Sequence, residues 1–525
     1  MRPAAVGALA FAALLAGCSL TPHYERPSAP VAGQWPENTG GDSHPAAAAV
    51  PQESGAASAL AAAADLPWRQ FVQDARIQQL VELALQNNRD LRIAIQNIEQ
   101  ARAQYQIRRA DQVPGINATA SASRSYPSAY NPGHIAENYT VGLGLSTWEI
   151  DFFGRVAALK DAALAQFLSS QEARRAAQTS LIAAVSNAWL QLKTDTALLA
   201  LTERTLATRQ QSLALVRLQF ESGASSALDM RQAESLTAAA QAARAQQLRL
   251  RAQDINLLTL LVGQPVPAEL IPAIPPAQEG DEGTGGNNAA AAAPVAPTEP
   301  LPAFAQVPAG LPSELLLRRP DIRQAEQQLI AANANIGAAR AAFFPRIALT
   351  ASLGYNSNEL SGLVASANKA WSVAPSLALP IFDMGRNSAN LQAAKAAREI
   401  ALAQYEKAIQ SAFREVADAL AGRATLDDQA AALKAQAEAD RDSYRMADLR
   451  YRSGVASYLN LLDAQRSLFA TEQALAQIQL AQRVNEVQLY KALGGGWSQA
   501  DEEAAAAAEA AKETTGAQAA SQNAS

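Results

Sequence analysis

Tyr139-Thr140-Val141-Gly142-Leu143-Gly144-Leu145-Ser146 alternates an apolar side chain with glycine or a small polar residue at every step. Strict period two marks a strand, because successive side chains of an extended chain leave opposite faces. Ile116–Ser123 reads the same way, and so do Ile347–Tyr355 and Trp371–Ile381, the last interrupted by Pro375 and Pro380, which each remove a ladder donor. Segments of about ten residues with one apolar face and one face of Ser, Thr, Gly and Ala match the wall of a membrane β-barrel. Tyr139, Tyr355 and Trp371 suit the aromatic girdles at its rims. A half-buried soluble sheet gives the same alternation, but such sheets turn charged residues outward and these faces hold almost none. Strands are expected at about 114–125, 138–150, 345–355 and 371–382. Four strands cannot close a barrel, since single-chain barrels begin at about eight. Open edges do not survive in lipid. Several copies of the chain must therefore share one barrel.

Working outward, the four strands fall into two equivalent halves. Asp90-Leu91-Arg92 returns as Asp321-Ile322-Arg323, Pro114 as Pro345, Gly154-Arg155 as Gly385-Arg386, Ser222-Gly223 as Ser453-Gly454, and Gly263 as Gly494. Each pair is separated by the same 231 positions (321 − 90, 345 − 114, 385 − 154, 494 − 263). Solenoid units are far shorter. The chain is a duplicated half-domain whose halves share one layout.

After each second strand, Gly-Arg opens a helix that meets no proline until the next Ser-Gly. Arg155 to Phe220 is about 66 residues, or roughly 99 Å. Its seam runs Leu181, Val185, Ala188, Leu192, Asp195, Leu199, Thr202, Leu206, Arg209, Leu213, Val216 and Phe220, in steps of four and three. That is a heptad pattern with polar members, which suits a hollow wall facing water better than a dry bundle. Gly223 and Gly454 mark the turns between helices. A second helix returns over about 227–262, and 90–112 adds another, so one long helix matches two shorter ones. Residues 65–85 read as the first ordered helix, entered at Pro67.

The bulk composition excludes several classes. A net charge of −6 argues against nucleic acid as a partner. One cysteine, Cys18, excludes a disulfide framework and a thiolate metal site. Of the three histidines, His23 and His44 lie in the N-terminal stretch and His134 in an expected loop. There is no phosphate-binding glycine loop, HExxH or GxSxG. No catalytic, cofactor-binding or metal-binding residue is expected, and the chain does not read as an enzyme.

The N-terminus is an address. Met1-Arg2 precedes a short apolar run, Val6 to Leu15, that ends in Leu15-Ala16-Gly17-Cys18. This resembles the bacterial lipobox, in which the cysteine is acylated and becomes the first residue; Ser19 after it, rather than Asp, favours the outer membrane. An acylated Cys18 gains about 0.8 kcal/mol of membrane affinity per buried CH₂. The expected order is a signal peptide over 1–17, an acylated extension and linker over 18–64, repeat one over 65–264, a low-complexity insertion over 265–319, repeat two over 320–497, and an Ala/Glu-rich tail over 498–525.

Leu315-Leu316-Leu317-Arg318-Arg319-Pro320-Asp321-Ile322, Phe344-Pro345-Arg346-Ile347, Tyr451-Arg452-Ser453-Gly454, Leu461-Leu462-Asp463-Ala464-Gln465-Arg466 and Tyr490-Lys491-Ala492-Leu493-Gly494-Gly495-Gly496-Trp497 together resemble the outer membrane factor family. The type is the OprM-like, NodT-type efflux lipoprotein of TolC architecture. The resemblance implies a mixed α/β membrane protein with four barrel strands and long antiparallel coiled-coil helices per chain. Three chains would form a twelve-stranded outer-membrane barrel and a periplasmic α-helical barrel, with the insertion in a belt around the tunnel. It implies a homotrimer working with a periplasmic adaptor and an inner-membrane pump of the resistance–nodulation–division type. In such relatives an aspartate at the place of Asp463 lines the closed aperture; a second, three residues earlier, is here Asn460. Asp229 holds the place equivalent to Asn460 in repeat one (460 − 229 = 231). Tyr451 and Arg450 resemble residues that latch the inner helix pair, and the turns at Gly223 and Gly454 would form the periplasmic tip. The expected function is passive conduction of drugs or other toxic small molecules to the exterior of a Gram-negative cell. The exit duct of a type I protein secretion system and a structural envelope lipoprotein are the alternatives.

Overall fold

The computed structural model describes residues 19–32, 66–126, 133, 135–274, 300–307 and 318–497. The signal peptide, Cys18, most of the 18–64 extension and of the 265–319 insertion, His44, His134 and the 498–525 tail lie outside them. In chain order the elements are α1 (Trp68–Phe71), α2 (Ala75–Asn87), α3 (Arg89–Ala110), β1 (Ile116–Ser125), β2 (Ala136–Ile150), α4 (Arg155–Glu221), α5 (Ala227–Val262), α6 (Pro320–Ala341), β3 (Arg346–Ser357), β4 (Lys369–Ala378), α7 (Arg386–Arg452) and α8 (Tyr458–Ala492). The 231-residue spacing survives to the residue: α3 maps onto α6 and α4 onto α7 at both ends. At 67 residues each, α4 and α7 are about 100 Å long. No helix among the described residues is long and apolar enough to cross a membrane.

The chain divides into two compact units. One comprises Met1–Pro30, Ala94–Arg174 and Pro320–Ile409. It holds a single antiparallel sheet in the order β1-β2-β3-β4. The central pairing, β2 with β3, joins the two repeats, with Leu143 opposite Leu353 and Val141 opposite Tyr355. Cross-strand partners share a face, so Ala118, Leu143, Leu353 and Trp371 form one apolar row, while Thr119, Gly142, Gly354 and Ala370 follow on the other side. β1 and β4 are the two edges, and both are exposed along their whole length. β4 stops at Ala378 instead of running to residue 382, because Pro380 has no N–H for the ladder and restricts Leu379 before it. β3 runs two residues past the expected 355, to Ser357.

Beside the sheet, α4 buries Val156, Ala158, Ala162 and Ala165, and α6 buries Ile322, Leu329 and Ile336. Ser169 Oγ donates to Gln324 O at 3.3 Å and Arg323 pairs with Glu172 at 2.8 Å. The segment that follows Cys18 lies along α6. Arg26 forks onto the Glu326 carboxylate at 2.7 and 2.8 Å, Tyr24 Oη donates to it at 3.1 Å, and Asn333 Nδ2 donates to Pro22 O at 2.8 Å. Gly337 leaves room for Thr21, which a Cβ there would strike.

The second unit comprises Val31–Ile93, Arg175–Arg319 and Gln410–Ser525. The helix expected over 65–85 is broken in two. Val72 forms an antiparallel bridge with Phe304 and Phe71 O accepts from Ala305 N, so the chain is pulled straight there. Asp74 then restarts it by capping Arg76 N and Ile77 N. Phe71 stacks between Tyr490, at 3.9 Å, and Phe304, at 5.0 Å. Arg319, from the Arg-Arg-Pro segment, reaches Glu415 at 2.8 Å and Ala492 O at 2.9 Å.

The heptad seam of α4 also needs correction. Its polar members do not face water: Asp195, Thr202 and Arg209 are buried together with Leu181, Val185, Leu192, Leu199 and Val216. Thr202 Oγ1 returns to Leu198 O, and Arg209 Nη1 donates to Leu236 O on α5 while its guanidinium lies over Phe469. The seam is a contact between helices of one chain. Thr202 is satisfied within its own helix and Arg209 finds one carbonyl on α5, while Arg209 Nε is buried without a partner, an unmade bond of a kind that costs about 1–3 kcal/mol.

Glycine is required at few of the turns. Gly223 (φ +77°) has open space around its Cα, whereas a Cβ on Gly263 (φ +79°) would run into the backbone of Asn87. Gly223→Ala should therefore cost only the left-handed strain of about 1–2 kcal/mol. Gly263→Ala should cost clearly more, and unfolding midpoints of the two variants check the order.

Candidate functional site: the helix tips and the open sheet

Both tips are built in the same way. At the end of α4, Ala224 N and Ser225 N turn back to Gln219 O, and at the end of α7, Val455 N and Ala456 N turn back to Arg450 O. Gly223 and Gly454 supply the left-handed residue, φ +77° and +73°. Below them Val216, Ala233, Leu236, Tyr458, Leu461 and Leu462 form a small core joining the two helix hairpins, with Tyr451 packed against it. Tyr451 Oη donates to Gln219 Oε1 at 2.7 Å, and its ring tilts against Tyr458 at 5.4 Å. Burial first, and then the Asp229 charge, raises the Tyr451 phenol above its ordinary value, so it remains a neutral donor.

The residues expected at the gate separate into two groups. Asp463 and Asn460 are both exposed on α8, three positions apart and so on one helix face. Asp229 is different: its carboxylate accepts from Ser226 N at 3.2 Å, from Ser226 Oγ at 2.7 Å and from Ser225 Oγ at 3.3 Å. This is a capping box that starts α5, and the Ser226 bonds hold the carboxyl below its usual range. The counterpart cap, Ser457, has no such side-chain bond, which leaves Asn460 free of that task. Arg450 contributes its carbonyl to the turn while its side chain is exposed. Gln219, the acceptor of the Tyr451 bond, has Arg450 as its repeat-two counterpart (450 − 219 = 231), and Tyr451 has Phe220 (451 − 220 = 231). This phenol-to-amide bond is therefore formed in one repeat combination only.

A buried carboxyl pair lies further along the same hairpin. Asp195 on α4 and Asp254 on α5 are equidistant from the Ala224–Ser225 turn (224 − 195 and 254 − 225), so folding the hairpin brings them together. Sequence reading placed Asp195 in the seam but left Asp254 unnoticed, although that symmetry could have found it. Gln191 donates to Asp195 Oδ2, whereas Asp254 Oδ2 is buried without a donor. Burial, then the hydrogen bond and charge of Asp195, pushes the Asp254 carboxyl up to about 7. The acid proton supplies the missing donor. Among the described residues there is no cluster that could hold a metal ion.

Two stretches, residues 80–264 and 311–495, match the model of the outer membrane efflux protein family, and they too are 231 positions apart (311 − 80, 495 − 264). The chain belongs to that family. The toluene efflux pump outer membrane protein TtgC of Pseudomonas putida is 45% identical over 488 residues, covering 92% of this chain and 94% of that protein. The outer membrane protein OprJ of Pseudomonas aeruginosa is 44% identical over 499 residues, covering 94% and 96%. Among solved structures, the open state of the Neisseria gonorrhoeae MtrE outer membrane channel superposes with a TM-score of 0.76 at 39% identity, covering 92% of this chain and 99% of that one. The chain is thus an outer-membrane protein with the channel fold of these relatives.

A carboxyl raised from 3.8 to about 7 on folding stabilises the fold at acid pH, and that contribution is lost as pH rises from about 4 to about 7. Asp254→Asn, which keeps a donor at all pH values, should flatten this dependence. Unfolding midpoints at pH 5 and pH 8 test it: the wild type should fall further between them than the variant.

Proposed function

We propose that this chain is the outer-membrane channel of a tripartite efflux pump, passively conducting toxic small molecules delivered by an inner-membrane transporter of the resistance–nodulation–division type through a periplasmic adaptor. The observation that supports it best is the sheet with two open edges in a family member. Unpaired backbone groups at those edges would each cost several kcal/mol in hydrocarbon, and they are satisfied when copies pair edge to edge. Three copies of four strands give a twelve-stranded barrel, within the range where a water-filled lumen is possible. No bond chemistry is needed: the pump supplies energy and the duct supplies a path. The toluene named for TtgC, together with the related proteins named for solvents and antibiotics, makes hydrophobic toxicants the first class to test.

Cys18 is the proposed lipid attachment point, and the Arg26–Glu326 clamp holds the segment after it. The periplasmic gate is proposed at the tips. Exposed Asp463 from three copies would form a ring of like charges that attracts cations at a constriction. Asn460 would lie beside it, Tyr451 would hold the tip through Gln219, and exposed Arg450 would complete the latch. Asp229 is assigned to the helix cap next to the latch.

Asp463→Ala should raise resting single-channel conductance in planar bilayers and lower cation selectivity; an unchanged current would remove Asp463 from the gate. A deletion strain should become more sensitive to toluene or to lipophilic antibiotics and regain resistance with the wild-type chain. No change against such a panel would count against efflux.

A further inference from the structure

We infer that the α7–α8 hairpin carries a wall site for uncharged lipophilic small molecules, a groove that opens on the Asp463 face of α8 inside the aperture. The inference rests on the channel and gate readings above and deepens them by naming the class of cargo that one stretch of the wall holds in passing. The groove has a volume of about 650 Å³. That lies within the roughly 300–1,000 Å³ of small-molecule sites, which are mostly apolar with a few polar groups. Ala432 and Leu433 of α7 and Ala474, Ile478 and Ala481 of α8 supply its apolar part, and glutamines supply the rest. None of the lining residues carries a charge, so an ionic solute would shed water there without gaining an ion partner.

Its place on the helix settles what reaches it. Ala481 follows Asp463 by 18 residues, which is five turns at about 3.6 residues each, and Ala474 follows it by 11, about three turns (481 − 463, 474 − 463). Asp463, Ala474 and Ala481 therefore stand in one line along α8. At 1.5 Å per residue, this part of the groove lies about 17–27 Å beyond Asp463, on the side away from the tip. With Asp463 on the pore side, as proposed for the gate, the groove opens into the lumen. Molecules that pass the gate meet it there, and a periplasmic protein outside the duct does not. The occupant is therefore a small molecule in transit.

The hairpin architecture by itself does not demand such a groove. Counted back 231 positions, the twin hairpin α4–α5 carries Leu198, Leu201 and Leu250 where α7–α8 carries Gln429, Ala432 and Ala481. Leu198 is buried. Smaller or more polar side chains thus open space in repeat two that leucines occupy in repeat one. Gln436 Nε2 donates to Thr471 Oγ1 at 3.1 Å, so that amide donor is already engaged. Gln429 and Gln477 are exposed and give the apolar space a polar rim. In a water-filled duct an uncharged lipophilic solute gains by leaving water for an apolar wall, and an open groove releases it again. Conduction needs both, a site favourable enough to enter and weak enough to leave.

Photolabelling of the full-length chain in lipid nanodiscs with an uncharged aryl diazirine, mapped by mass spectrometry, tests the site. Label should appear in the stretches 429–436 and 474–481, and excess toluene should lower it at least several-fold. Ala432→Leu with Ala481→Leu, which installs the side chains of the twin hairpin, should remove this label and leave labelling of the sheet strands unchanged; the strands thereby report misfolding. Absence of label from the groove in the wild type, or label there that neither toluene nor the leucines reduce, overturns the site. Its side is tested with Ala474→Cys in planar bilayers, where a cationic methanethiosulfonate should lower the single-channel current in a step and leave the wild-type current unaltered. A conducting Ala474→Cys channel that ignores the reagent puts the groove off the lumen and overturns the inference, while the channel reading stands. If neither the wild type nor the variant carries current, the channel reading falls with it.

Discussion

Backbone hydrogen bonding in lipid is the constraint from which the rest of this protein follows. A chain that supplies four strands has two edges whose N–H and C=O groups find no partner within it, and hydrocarbon offers none. Duplication is an economical answer. One half-domain already carries a surface that fits its twin, so repeating it along the chain leaves the same two surfaces at the outer sides. Inside the chain Arg323 and Glu172 form an ion pair, whereas Arg92 and Ala403 stand at the equivalent outer positions.

The long helices obey a related rule in water. A hairpin of about 100 Å and 54 Å arms must be held along its length, and α4 does this with a seam that is not purely apolar. Thr202 bonds within its own helix, Arg209 donates to a carbonyl on α5, and burial beside Asp195 pushes the Asp254 carboxyl up to about 7. At the tip the balance changes. The core under the turns is small, one phenol-to-amide hydrogen bond links the hairpins, and its counterpart positions hold Phe220 and Arg450.

Much of the fold was legible because its signals are local or periodic. Two-residue alternation located four strands, the Gly-Arg and Ser-Gly punctuation bounded α4 and α7, and the constant offset tied the halves together before any contact was known. What escaped depended on three dimensions. The break at Val72 needs Phe304, more than two hundred residues away, to be drawn in as a bridge. The polar seam looked wet because α5 was not yet folded against it. The clamp of Arg26 on Glu326 has no sequence signature. At the helix ends, the turns read at Gly223 and Gly454 are present with left-handed glycines, while the capping bonds of Asp229 emerged only from geometry.

Native mass spectrometry of the full-length chain, released from mild detergent, tests the dependence on shared strands most directly. The account predicts one dominant species with the mass of three chains, persisting at high ionic strength. A well-folded species of single-chain mass under the same conditions would contradict it.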